Sequence, residues 1–123
     1  MRALVDDWVR RLRVVTPDAD LPVMSLSGGN QQRVMLARWL ARTPRVLILN
    51  GPTVGVDVGS KADIHAIIAA LAKDGMGVIV ISDDIPELLA ACDRILVMKS
   101  GRVTEEIPRA AAEENALAAR LAD

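Results

Sequence analysis

Three short apolar runs, Val46-Leu47-Ile48-Leu49, Val78-Ile79-Val80-Ile81 and Ile95-Leu96-Val97-Met98, are separated by stretches with helical periodicity. Four consecutive apolar residues without alternation read as strands buried on both faces, the habit of parallel sheets covered by helices. Between the first two runs, Ser60 to Lys73 carries Ile64, Ile67, Ile68 and Leu71 on one helical face. Ser60 is placed to cap that helix with Asp63 three residues on, and Gly75 to stop it. Asp84 to Ala91 supplies a shorter helix before the third run. This alternation predicts right-handed βαβ crossovers and a mostly parallel sheet, so the fold class is α/β.

Flanking segments extend the pattern. Val5, Trp8, Val9 and Leu12 recur at helical spacing between Arg2 and Arg13, and Pro17 and Pro22 bracket a loop. A second helix is predicted from Asn30 to Arg42, burying Val34, Met35, Trp39 and part of Leu40, with Pro44 ending it. Lys99-Ser100-Gly101-Arg102 reads as a hairpin turn into Val103, and Pro108 as the opening of an Ala-rich closing helix. The expected division is a helical piece over 1–44, a βαβ core over 45–107 and a closing helix over 108–123.

Composition excludes several function classes. At 123 residues and 51% hydrophobic, the chain is one domain's worth with material for a core. A net charge of −1 with acids and bases interspersed gives no electrostatic footprint for nucleic acid. The single cysteine, Cys92, allows neither an internal disulfide nor a multi-thiolate metal site. No run approaches the roughly 20 apolar residues of a membrane span, and Asp6 and Asp7 stand where a secretory leader needs an apolar stretch. The expectation is a soluble, cytoplasmic chain whose membrane role, if it has one, comes through a partner.

Ser27-Gly28-Gly29-Asn30 precedes a helical pattern. A helix start there leaves free N–H groups aimed outward, and the glycines let an anion approach the backbone. On these four residues alone a phosphate contact and a simple helix cap stand level. The longer string L-S-G-G-N-Q-Q-R-V-M-L-A-R-W-L, then the strand, then N-G-P-T-V-G-V-D-V-G-S-K, resembles the C-terminal half of the second nucleotide-binding cassette of sugar-import ABC transporter ATP-binding proteins. The resemblance covers nearly the whole chain and implies a partial P-loop NTPase fold with part of the helical signature subdomain. It also implies ATP, with Mg²⁺, as ligand at a site shared with an opposite cassette. Implied partners are the N-terminal half or first cassette of an ABC ATP-binding protein, membrane permease subunits and, indirectly, a periplasmic sugar-binding protein. The implied location is cytoplasmic, peripheral to the inner membrane.

Residue by residue, the resemblance makes Ser27, Gly28, Gly29 and Asn30 the signature, which contacts the γ-phosphate of an ATP held in trans. Asp57 matches the D-loop aspartate, and a turn aspartate bonding its own backbone is the other reading. Where the family has Asp-Glu at the strand end, this chain has Asn50 and Gly51. Asn hydrogen-bonds a metal's water without neutralising charge, and Gly supplies no general base, a contribution worth about 10²–10⁴-fold. Asp83 occupies the position of the switch histidine. A carboxylate ~4 Å from a phosphate charge is repelled by about 4 kcal/mol at a protein surface, so Asp83 is expected to cap its own helix. The phosphate-wrapping loop G-x-x-x-x-G-K-[ST] occurs nowhere in the chain. The expected function is a phosphate clamp in trans, itself catalytically degenerate. The alternatives are a truncated product without transport function and an ABC-type ATPase outside transport.

Other residues read more plainly. His65 is expected on an exposed helix position, Trp8 and Trp39 in the core, and Arg10, Arg11 and Arg13 on a solvated face. Cys92 is expected as a buried thiol, and Glu87 as a first-turn acid favourable to the helix dipole.

Overall fold

A computed structural model describes residues 1–122. Helix α1 spans Arg2–Arg11 and ends where Arg13 takes a positive φ of 52°, two residues short of the expected boundary. Helix α2 spans Gly28–Leu40, capped by Ser27, so it starts on the two glycines themselves. Strand β1 (Val46–Asn50), helix α3 (Val58–Lys73) and strand β2 (Gly77–Ile81) form a βαβ unit. The two strands run parallel, with Val46 opposite Gly77 and Asn50 opposite Ile81. Helix α4 (Ile85–Ala91) leads to an antiparallel hairpin of β3 (Arg94–Lys99) and β4 (Arg102–Pro108), and helix α5 spans Glu114–Ala122. Ser100 and Gly101, both at positive φ (49° and 75°), make the two-residue turn that matches strand twist.

Several boundaries differ from the sequence reading. Asp57, not Ser60, caps α3: its carboxylate accepts from the Ser60 N–H at 3.0 Å. Asp84, not Asp83, caps α4, accepting from the Glu87 N–H at 3.1 Å, and Asp83 is left exposed. Pro108 ends β4 and does not open the last helix. It stands opposite Arg94, where no ladder donor is needed, while the next N–H, of Arg109, bonds the Asp93 carbonyl at 2.9 Å. The buried stripe of α2 is Gly29, Arg33, Leu36 and Leu40, with Met35 and Trp39 54% and 51% exposed. An arginine holds a core position there because its head finds partners inside, which shifts the stripe by one residue.

The third strand does not join the parallel pair. Among the described residues β2 bonds only β1, and β3 only β4. Two apolar clusters follow this split. The larger joins Leu12, Leu36, Leu40, Leu47, Ile64 and Ile68, with Trp8 packed against it, and the smaller joins Ile85, Ile95, Val97, Ile107 and Leu117. Among the described residues no helix is long and apolar enough to cross a membrane.

Candidate functional site

The turn before α2 is built by two hydrogen bonds that Asn30 donates to Ser27. Ser27 Oγ accepts from the Asn30 backbone N–H at 3.3 Å and from Asn30 Nδ2 at 3.0 Å. Asn30 Oδ1 in turn accepts from the Val15 N–H at 2.9 Å, which ties the loop after α1 to the turn. Ser27 Oγ is thereby an acceptor twice over and keeps its own proton free to donate outward. Ser27 and Gly28 are exposed, whereas Gly29 is buried. A Cβ on Gly29 would lie 2.6 Å from Ser60 Cβ, and one on Gly28 would lie 3.1 Å from the Gly55 carbonyl oxygen. The close approach of the β1–α3 turn therefore leaves no room for a side chain at Gly29 and little at Gly28. The sequence singled out this turn and the one before α3 separately, and the fold brings them into contact.

Beneath them Arg33 is 6% exposed. Its guanidinium donates to the Arg13 carbonyl at 3.0 Å, to Asn30 Oδ1 at 3.4 Å and to Asp63 at 2.6 Å. The Arg33–Asp63 pair joins α2 to α3. Asp57 is exposed and held as the α3 cap; hydrogen bonds from Ser60 and the following backbone keep its carboxyl below the ordinary carboxylate range.

At the end of β1, Asn50 is exposed and Gly51 has φ 58°, with its N–H bonded to the Ile81 carbonyl at 2.8 Å. A side chain at position 51 would pay for a left-handed backbone and would meet Val54 Cγ2 at 2.9 Å. The end of the strand offers a metal one neutral amide and no carboxylate, a donor set that does not fit a resident Mg²⁺. Among the described residues no group of three His, Cys, Asp or Glu side chains comes together to hold a metal.

A buried polar network lies behind these loops, and sequence reasoning missed it. Glu87 is only 4% exposed. Its carboxylate accepts from Thr53 Oγ1 in the turn after β1, from Ser82 Oγ after β2 at 2.6 Å, and meets His65 Nε2 on α3 at 3.1 Å. Burial alone would raise the Glu87 carboxyl, but the hydrogen bonds from Ser82, Thr53 and His65 together outweigh it and hold it below the ordinary range. His65 is thus a half-buried partner of Glu87 and not the exposed residue expected. Cys92 is partly buried beside Asp93, and burial pushes its thiol up, away from the reactive thiolate.

The family model described as ABC transporter matches residues 1–54. A ribose import ATP-binding protein of Streptomyces avermitilis is 54% identical over 114 residues, which is 92% of this chain and 23% of that protein. An arabinose import ATP-binding protein of Ralstonia nicotianae is 50% identical over 113 residues, covering 91% of this chain and 22% of its own length. The solved dimer of the ATP-binding cassette MJ0796 bound to ADP and Pi superposes with a TM-score of 0.75 at 29% identity, over 88% of this chain and 47% of that one. This chain spans about a fifth of the curated relatives it matches and under half of the solved cassette. Over nearly its whole length the chain is similar to ABC ATP-binding proteins, and about half its residues coincide with those of the sugar-import relatives along the stretch they share.

Proposed function

We propose that this chain is the C-terminal half of a second, catalytically degenerate cassette of a sugar importer, contributing its signature turn to an ATP site whose hydrolytic groups reside on another cassette. The observation that carries this reading is the contrast between two neighbouring turns. At one, the free Ser27 hydroxyl proton and the Gly28 backbone face solvent at a helix N-terminus, a disposition suited to an anion. At the other, Asn50 and the left-handed Gly51 leave no group to activate water. Residues 1–44 act as the signature piece, 45–107 as the core and 108–123 as the closing segment.

In this arrangement Asp57 faces the opposite cassette while capping α3, and Asp83 contributes no phosphate contact. The phosphate-wrapping loop, the magnesium ligands and the general base come from the partner, so the isolated chain binds ATP weakly. Permease subunits hold the assembly at the cytoplasmic face of the membrane, and a periplasmic sugar-binding protein acts on it only through them.

The test is ATP turnover by a full-length sugar-import ATP-binding protein with and without this chain, and with Ser27→Arg. Turnover that depends on the chain and disappears with Ser27→Arg supports the clamp. A chain without effect on any such partner leaves the competing reading, a truncated product with no transport role, for which the missing acids speak.

A further inference from the structure

We propose that Asn30 is a positioning residue that sets the direction of the Ser27 hydroxyl proton, a role that rests on the clamp reading above and names what makes the clamp a donor. Arg33 and the Val15 N–H hold Asn30 in the one orientation that does this. A hydroxyl has one proton and two lone pairs, and its proton is directed outward when both lone pairs are taken from within. At Ser27 the Asn30 backbone N–H and Asn30 Nδ2 both donate to Oγ, at 3.3 Å and 3.0 Å. Ser27 is exposed, and its proton is left to face solvent.

The side-chain donation depends on which way round the Asn30 amide stands. An amide carries an acceptor on one side and donors on the other, and the opposite orientation would turn its oxygen to Ser27 and draw the hydroxyl proton inward. Two donors exclude that orientation. The Val15 N–H reaches Asn30 Oδ1 at 2.9 Å and Arg33 Nη1 reaches it at 3.4 Å, so a reversed amide would set NH₂ against both. Arg33 is itself held from turning away, being 6% exposed. Nη1 also donates to the Arg13 carbonyl at 3.0 Å, where Arg13 has a φ of 52°, and Nη2 donates to Asp63 at 2.6 Å. A donor of Arg33 thus meets the acceptor end of Asn30, the donor end of Asn30 meets Ser27, and the Ser27 proton is the last donor of the series. Hydrogen bonds joined in one direction polarise each other, which strengthens that final donor.

Asn30→Asp separates this role from support of the fold. The carboxylate keeps the acceptor for Val15 and Arg33 and sits in the first turn of α2, where the helix dipole favours a negative charge. Stability at or above the parent's is therefore expected. Its second oxygen replaces the Nδ2 donor, and the Ser27 hydroxyl turns inward to it. A role in support alone predicts no loss of function from such a variant.

The experiment has two arms. In the whole chain without nucleotide, NMR is expected to show one Asn30 Nδ2 proton shifted downfield, a shift that Ser27→Ala abolishes. Asn30→Asp is expected to bring out a slowly exchanging Ser27 hydroxyl proton that the parent lacks. With the full-length sugar-import ATP-binding protein present, Asn30→Asp is expected to lower chain-dependent ATP turnover at least about tenfold, with the urea unfolding curve kept. Ser27→Ala is expected to cost about fivefold in the parent and less than about twofold beside Asn30→Asp, since the proton it removes no longer faces the nucleotide. Simple repulsion by the new carboxylate would leave the cost of Ser27→Ala equal in both backgrounds. That equality overturns the proposal, as does an Asn30 Nδ2 shift untouched by Ser27→Ala, or parental turnover in Asn30→Asp. The NMR arm uses neither nucleotide nor partner, so a lack of chain-dependent turnover counts against the clamp reading alone, while the amide and hydroxyl signals still decide the proposal. Where Asn30→Asp does not fold, the Ser27→Ala comparison decides it.

Discussion

Glu87 is the side chain whose loss should be felt furthest, since one carboxylate holds the turn after β1, helix α3 and the loop after β2. Glu87→Ala strands the hydroxyl of Thr53, itself 2% exposed, removes the acceptor for Ser82 and His65, and opens a cavity. A hydrogen bond to a charged group contributes about 1.5–3 kcal/mol, and two that share one acceptor are not additive. Loss of about 3–5 kcal/mol is expected for Glu87→Ala. Glu87→Gln keeps the shape and one acceptor oxygen, so about 1–2 kcal/mol is expected.

The sign of the pH dependence separates these causes. The carboxyl is held below its ordinary value in the fold, so its stabilisation is fully present above the unfolded pKa of about 4.3 and fades as pH falls through the lower folded value. The gap between the parent and Glu87→Gln should therefore be constant from pH 7 to about 5 and shrink at lower pH. Urea unfolding followed by the emission of Trp8, packed against the larger core, measures it. An equal gap at pH 7 and pH 3, or a Glu87→Ala cost below about 1 kcal/mol, would refute the assignment of Glu87 as a charged acceptor.

Gly29→Ala, whose new methyl meets Ser60 at 2.6 Å, should cost about 1–3 kcal/mol in the same unfolding assay, and adding Ser60→Gly should recover most of it. Gly51→Glu, offered as a restoration of the absent base, should lower stability by about 1–2 kcal/mol through the left-handed backbone at φ 58° and add no turnover in the partner assay. The open face predicts self-association of the chain alone at micromolar concentration. Sedimentation should show less of it for Ile48→Lys with Ile79→Lys, and unchanged association would point to another surface.

The strands were legible because each is an uninterrupted apolar run between breakers, and the parallel pairing of the first two follows from the helix between them. Helix starts were harder: Asp57 and Ser60, or Asp83 and Asp84, are equally good caps on chemistry, and only the path of the incoming chain chooses. The stripe of α2 was misjudged because periodicity counts Arg33 as polar, whereas Asp63, thirty positions on, and the Arg13 carbonyl let it sit inside. Nor does periodicity disclose Thr53, His65, Ser82 and Glu87 as neighbours. Their meeting depends on the crossover that folds α3 over the strand ends, and a lone histidine without a local partner carries no signal of it. The Ser27–Asn30 turn was visible as a string, but its contact with Gly55 and Ser60 was not, although two glycines in succession at a helix start ask for some close neighbour. The separation of β3 from β2 left no trace either, since a strand buried on both faces looks the same whichever chain covers it.

Arg33 gives the two turns a mechanical relation. Through Arg13, Asn30 and Asp63 it clamps the loop after α1, the start of α2 and the second turn of α3 to one rigid guanidinium plane. Gly28 and Gly29 remove the padding that would let those helices slide. The turn that carries Ser27 and the first two turns of α3 are therefore held in one fixed relation, with the turn after β1 pressed against both glycines.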